Sequence, residues 1–253
     1  GVDFGTTLVK VATKTQDGPW KFLSFPNSDN SVAIETRLLQ IHHETHGAHM
    51  HPLLCATGIR KPKKLSLFSV ATPTLRDAIL DEFKLQSDGV RTLLGDATPR
   101  RFLLVLVGTG VSYVLVRDGV IVPFPIGSGF GGGFIQKLAA TLCPDIDPKS
   151  ENKTDDAQNP LDLLVKDILP NTHGTLEGEF AIAHFGKMAP DSGQTGKLLT
   201  ILNCVAVSIA RDMFMISRIA GFTHDHAVFI GSTFKQYPML RTFLERYLAS
   251  PLL

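Results

Sequence analysis

The sequence lacks the features that mark several large classes of protein. A charge of one sign is missing: 25 Lys and Arg against 24 Asp and Glu leave a formal net charge of +1. No bulk field therefore draws nucleic acid or an anionic membrane surface. Long apolar runs are missing as well, since runs such as "FLLVLVG" (102–108) fall far short of the ~20 residues a spanning helix needs. Cysteine is scarce. Cys55, Cys143 and Cys204 are odd in number and lack the paired spacing of metal ligands, which points to a reducing compartment and away from a disulfide framework. No secretory leader is expected before the first strand, and the phosphate loop G-x-x-x-x-G-K-[ST] is absent. The expectation is a cytoplasmic protein with no nucleic-acid partner and no membrane span.

What is present is an ordinary globular composition, 43% hydrophobic and 19% charged, over 253 residues. That length allows one large domain or two smaller ones and a substantial core. Residues 2–13 read as strand, turn and strand, and 20–26 as a further strand. Residues 34–46 read as a strand that turns polar and enters a loop. Residues 75–83 have helical spacing, and 102–127 form the clearest hairpin. A glycine-rich loop at 127–143 runs into a helix, and 143–160 is polar and proline-punctuated. Residues 161–169 read as a short helix, 192–221 as a long helix closed by Gly221, 226–234 as a strand into a turn, and 237–248 as a last helix. Alternating strands and helices make this an α/β protein. Strand–Gly–Thr modules at 2–13 and 102–117 suggest a duplicated architecture, with domains at 1–98 and 99–253.

Three turns share one form: "DFGTTLVK" (3–10), "VGTGVS" (107–112) and "FIGSTF" (229–234). Each follows an apolar strand and joins glycine to Ser or Thr. Without a Cβ the backbone can approach a ligand closely, and successive N–H groups can converge on an anion while a hydroxyl adds a donor. The chemistry such turns suit is phosphate binding. The competing reading of any one of them is a tight turn and nothing more.

The order Asp-Gly-Thr-Thr, Gly-Thr-Gly, Gly-Ser resembles the actin-like ATPase superfamily of sugar kinases, heat-shock chaperones and actin. Within it, "GVDFGTTLVK", "LLCATG", "LDEF", "VGTGVS", "GSGFGGGF", "LVKDI", "FAIAHFGKM", "NCVAVSIARDM" and "VFIGSTF" are similar, in order, to type II (eukaryotic-type) pantothenate kinase, over roughly residues 1 to 245. The resemblance implies two actin-like (ribonuclease H-like) lobes with mixed sheets flanked by helices and an ATP cleft between them. It implies ATP and Mg2+ as cofactors and phosphoryl transfer to the 4′-hydroxyl of pantothenate, the first step to coenzyme A. Glu82, in "LDEF", falls on the general base. Asp3 would act through Mg2+ and its waters. Gly5, Thr6, Thr7 and Lys10, with Gly108, Thr109 and Gly110, would hold the ATP phosphates. Gly131, Gly132 and Gly133 would present N–H groups to them at a helix start. Gly231 and Ser232 would lie at the adenosine. Thr109, Ser112, Ile182 and Ala183 fall on positions that contact pantothenate or an acyl-CoA inhibitor.

The family dimerises through its long helix. Leu198, Leu199, Leu202, Val205, Ala206, Ile209, Met213 and Ile216 recur here at helical spacing, more apolar surface than one face needs. A homodimer, or a heterodimer with a paralogue, is the expectation, against a helix that is simply buried. Phe124 stands where the family has an arginine that meets the ligand anion, and a phenyl ring cannot replace a guanidinium. The glycine-rich segment after Ala56-Thr57-Gly58 becomes basic, with Arg60, Lys61, Lys63 and Lys64. Two alternatives stay open: a catalytically weakened paralogue acting as regulatory subunit or ligand sensor, and another small-molecule kinase of the same superfamily, for example one acting on an N-acetyl sugar. His42, His43, His46, His49 and His51 read as a solvated loop, not a metal site.

Overall fold

The computed structural model describes residues 2–5, 8–14, 18–27, 31–46, 56–57, 82–147, 161–175, 177–221 and 226–249. The chain divides into two compact units, Gly1–Thr98 and Pro99–Leu253.

In the first unit, strand β1 (Val2–Phe4) pairs antiparallel with β2 (Leu8–Thr13), β2 with β3 (Lys21–Pro26), and β1 parallel with β4 (Ala56–Thr57). The order β3-β2-β1-β4 makes a mixed sheet. Val9 and Val11, two residues apart, are both buried and share a core with Val2. Covering them is α1 (Ser31–His46), through Ile34, Ile41 and the half-buried Leu38. This corrects the reading of 34–46 as strand and loop. Ile34, Leu38 and Ile41 recur every three to four residues, and that spacing prevails over the β-preference of isoleucine once a sheet face offers burial. On its outer side the amide of Gln40 donates to Glu44 at 2.8 Å. Helix α2 (Glu82–Leu94) follows, with Ser87 and Val90 buried. The expected helix at 75–83 thus continues well past Glu82, while residues 75–81 lie outside the described residues.

In the second unit, β5 (Arg101–Val107), β6 (Val111–Arg117) and β7 (Val120–Ser128) form an antiparallel meander. β10 (Ala227–Ile230) adds parallel to β5, giving the order β10-β5-β6-β7. β5 and β6 are buried almost without alternation, as strands covered on both faces are. Helices α3 (Gly132–Leu142), α5 (Gln194–Ala220) and α7 (Pro238–Leu248) contribute to that core. The 161–169 segment is not one helix. It is a two-residue strand, β8 (Leu163–Leu164), paired with β9 (Ala181–Ala183), and a single turn, α4 (Val165–Ile168). Asp167 accepts the Leu164 N–H at 2.7 Å, which ends the strand and caps that turn.

Helix α5 is long and apolar enough to cross a membrane by length and composition, yet 72% of that stretch is buried inside the protein. The eight apolar residues read as a dimer surface, Leu198 through Ile216, are all consumed by the unit's own core. On the same helix Met215 and Ile219 are exposed large apolar residues. At the helix end Gly221 adopts φ 55°, a left-handed cap. The Arg101 guanidinium donates to the Ala220 carbonyl, a cation at the negative end of the helix dipole. A short α6 (Thr233–Gln236) links β10 to α7.

Candidate active site

In the second unit, three glycine turns from distant parts of the chain meet at one carbonyl. The turn Gly108–Gly110 joins β5 to β6 and closes on itself, the Gly108 N–H donating to the Gly110 carbonyl at 2.9 Å. The loop after β7 enters α3 and sends the Gly132 N–H to the Gly108 carbonyl at 2.8 Å and the Gly133 N–H to the Thr109 carbonyl at 3.0 Å. The turn after β10 brings in Thr233, whose hydroxyl donates to the same Gly108 carbonyl at 3.0 Å. Glycine is required where backbones touch. A Cβ on Gly131 would lie 2.7 Å from Gly110 Cα and from the Thr109 carbonyl oxygen. Gly231 has φ +123°, and a Cβ there would lie 2.1 Å from the Val107 oxygen.

The N–H groups of Gly131, Gly132 and Gly133 are spent inside the protein, on the carbonyls of Gly129, Gly108 and Thr109. These glycines let two turns pack against each other, where the sequence suggests phosphate donors. The exposed groups at this cluster are Gly108, Thr109 and the Gly231–Ser232 turn, with Ser112 half-buried at the start of β6. Phe124, in place of the family's arginine, packs half-buried against the core.

In the first unit the β1–β2 register sets Asp3 opposite Lys10, and the Lys10 ammonium meets Asp3 Oδ2 at 2.9 Å. The other carboxylate oxygen, Oδ1, is buried with no hydrogen-bond partner. A buried carboxylate oxygen without a donor is rare, and it suits a water held by a magnesium ion. Among the described residues no group of three or more His, Cys, Asp and Glu could hold a metal. The Gly5 carbonyl accepts from Asn27 at 2.6 Å, a contact that ties the turn to the end of β3 and that the sequence did not signal. Thr6 and Thr7 lie outside the described residues, as do His49, His51 and the basic stretch at 60–64. His42, His43 and His46 belong to α1 rather than to a loop. Glu82 is exposed and accepts from Gln86 one turn on, at 3.1 Å. Among the described residues no hydrogen bond or ion pair joins Glu82 to Asp3 or Lys10.

The structure also shows a polar network that the sequence reading missed. Asp162 is wholly buried. Its Oδ1 meets His184 Nδ1 at 3.0 Å and the Phe185 N–H at 3.3 Å. Its Oδ2 accepts from Asn203, whose own oxygen accepts from the Tyr247 hydroxyl at 2.9 Å. The hydrogen bond to Asp162, then one to Cys204, raises the His184 pKa to about 9 against the cost of burial. Burial pushes the Tyr247 hydroxyl up to about 12. This network anchors the end of β9, where Ala183 pairs with Leu163 and Ile182 stands 52% exposed. The backbone turns sharply there, Phe185 adopting φ 60°. The one available signal was a carboxylate inside the apolar stretch "LDLL".

No family model matches the chain. Among solved structures, component A of (R)-2-hydroxyglutaryl-CoA dehydratase from Acidaminococcus fermentans superposes over 100% of this chain and 91% of its own, at 14% identity and a TM-score of 0.54. A ROK family glucokinase from Streptomyces griseus, in complex with glucose and AMPPNP, covers 99% and 89%, at 10% identity and a TM-score of 0.51. These likenesses give the α/β fold of the actin-like ATPases and ROK sugar kinases. Among curated proteins, a type II pantothenate kinase from Staphylococcus epidermidis is 30% identical over 189 residues, 67% of this chain and 66% of the relative. The first such relatives are thus spanned over just under two thirds of their length. A type II pantothenate kinase from Staphylococcus aureus is 30% identical over 260 aligned residues, 98% of this chain and 89% of the relative. At that identity and coverage, the chain belongs to the type II pantothenate kinase family.

Proposed function

We propose that the chain transfers the γ-phosphoryl group of ATP to the 4′-hydroxyl of pantothenate. The observation that carries this reading is the meeting of three glycine turns at the Gly108 carbonyl, which leaves Gly108, Thr109 and Ser232 outward on a rigid frame. Kinases of this kind work mainly by positioning and charge neutralisation, so a fixed cradle matters more than a reactive group. Thr109 and Gly110, with Gly5 and Lys10, bind the phosphates. Gly231 and Ser232 border the adenosine. Ser112, Ile182 and Ala183 contact pantothenate. Asp3 would hold a magnesium ion, which when bound would supply neutralisation of phosphate charge. Glu82 accepts the hydroxyl proton as the new oxygen–phosphorus bond forms and the bond between the β and γ phosphates breaks, releasing ADP.

A second reading, a ligand-binding paralogue with weakened turnover, is favoured by Phe124 alone. A benzene ring packed on the core supplies no charge to a substrate anion. One experiment decides between them: ATP consumption by the full chain with and without pantothenate, the product identified by mass. Pantothenate-dependent ADP with a phosphorylated pantothenate supports the kinase. Saturable binding of ATP and pantothenate without ADP supports the paralogue.

A further inference from the structure

The buried network around Asp162 has no part in the chemistry proposed above, yet it gathers at one short stretch of surface. Asp162 directly precedes β8, and His184 directly follows β9. Those strands meet over two registered pairs, Leu163 with Ala183 and Leu164 with Ala181, too small a ladder to hold a turn by itself. The turn after β9 is tied instead to the residues around Asp162. His184 Nδ1 and the Phe185 N–H both meet Asp162 Oδ1, at 3.0 and 3.3 Å. The Lys187 N–H donates to the Leu161 carbonyl at 2.9 Å, and a Cβ on Gly186 would lie 2.7 Å from the Leu163 side chain. Behind them the Leu161 N–H donates to the Thr200 hydroxyl at 2.6 Å. Asp162 Oδ2 accepts from Asn203, and Asn203 from Tyr247, so the turn is anchored through α5 to α7. Within it Phe185 adopts φ 60°, a conformation that a bulky residue keeps only where its surroundings dictate it. What this frame presents outward is Ile182, exposed at the middle of β9. A strained, fully bonded support beneath one exposed apolar side chain is how a ligand contact is fixed before the ligand arrives.

We propose that Asp162 and His184 are positioning residues for the acceptor: by fixing the turn after β9 they hold Ile182 and Ala183 against pantothenate, and so set its affinity without setting that of ATP. This rests on the reading above that Ile182 and Ala183 contact pantothenate. Neither Asp162 nor His184 acts on the reacting atoms. Without the imidazole, Asp162 keeps Asn203 and the Phe185 N–H, so the core stays satisfied while the residue next to Ala183 loses its tie. The end of β9 must then be ordered at the moment of binding, and that ordering is subtracted from affinity. The nucleotide cradle is held by bonds of its own, among Gly108, Gly132 and Thr233.

The test uses the full chain and calorimetric titration, with pantothenate added in the presence of a non-hydrolysable ATP analogue and, separately, with the analogue alone. Ile182→Ala, at an exposed position, should weaken pantothenate binding about tenfold. His184→Gln should weaken it by a similar factor, with the analogue's affinity held within about twofold. His184→Asn, whose amide nitrogen can stand near the place of Nδ1, should restore most of the loss. The double variant Ile182→Ala/His184→Gln should lose about tenfold, where two independent contacts would lose about a hundredfold, because the network acts through Ile182. Full additivity overturns the proposal, and so do equal losses for pantothenate and the analogue, which mark a unit loosened as a whole. Ile182→Ala folds whatever His184→Gln does, so an unchanged pantothenate affinity in that variant is decisive against it by itself. A wild-type chain that binds the analogue but no pantothenate overturns the acceptor assignment and this proposal together. Pantothenate bound equally by the wild type and every variant overturns this proposal alone.

Discussion

The Thr233 hydroxyl donates to the Gly108 carbonyl at 3.0 Å, across 125 residues of chain. The carbonyl also accepts the Gly132 N–H at 2.8 Å, so removing the hydroxyl leaves it satisfied. Thr233→Val should therefore cost little stability, roughly 0.5–1.5 kcal/mol, read as a small shift in denaturant midpoint. The larger effect is expected on nucleotide binding, as a raised KM for ATP with kcat less changed. A stability loss without any change in KM would remove this bond from the nucleotide site.

Gly231→Ala is a harsher test of the same frame. The backbone at φ +123° excludes a side chain, and the added carbon would overlap the Val107 oxygen at 2.1 Å. The turn must move, at a cost of about 1–3 kcal/mol or more, and ATP affinity should fall with it. Thermal unfolding and ATP titration of the same sample check both, and unchanged ATP affinity would place the nucleotide elsewhere.

Glu82→Gln keeps shape and the capacity to bond Gln86 but cannot accept a proton. Turnover should fall ~10²–10⁴-fold, the usual range for a general base, while ATP affinity stays near the parent's. Glu82 is exposed, so stability should be within about 0.5 kcal/mol. Turnover close to the parent's would remove Glu82 from the mechanism.

How far the sequence carried depended on whether the signal was local. The three turns were legible because glycine beside a hydroxyl after an apolar strand is chemistry written in adjacent residues. The occupation of the Gly131–Gly133 N–H groups was not, since their acceptors at Gly108, Thr109 and Gly129 are set by packing of separate loops. Helix α1 was misread because Ile34 and Ile41 carry β-preference, and only the covering of Val9 and Val11 reveals their helical spacing. Apolar residues at helical spacing on α5 look the same in sequence whether strands and helices of one chain or a second copy cover them, and here elements far away in sequence bury all eight. Of the Asp162–His184–Asn203–Tyr247 network only the carboxylate within the apolar "LDLL" left a trace, its other members lying far apart with no motif spacing.

Asp3→Asn tests the cation site. The Lys10–Asp3 pair is largely solvent-exposed on the lysine side, at 56%, and such pairs contribute about 0–1 kcal/mol. Stability should change little. The magnesium concentration needed for half-maximal turnover should rise severalfold, because an amide oxygen holds a magnesium-bound water more weakly than a carboxylate. A magnesium titration of turnover for parent and variant measures this, and coincident curves would release Asp3 from the role.

The pH dependence of stability has a sign fixed by His184. Its folded pKa is raised from 6.5 to about 9, first by the hydrogen bond to Asp162 and next by that to Cys204. The folded state therefore holds the proton more tightly than the unfolded chain, and the pair's contribution is fully present below about pH 6.5. It is lost as pH rises through about 9, where the folded protein releases the proton. A charge-assisted bond to a buried carboxylate contributes roughly 1.5–3 kcal/mol. His184→Gln should thus be less stable than the parent at pH 6, and the two unfolding curves should draw together by pH 9 to 10. Denaturant midpoints across that range measure it. A parent that gains stability relative to His184→Gln on going from pH 6 to pH 9 would show that the imidazole is neutral in the fold and that Asp162 is satisfied by Asn203 and the Phe185 N–H instead.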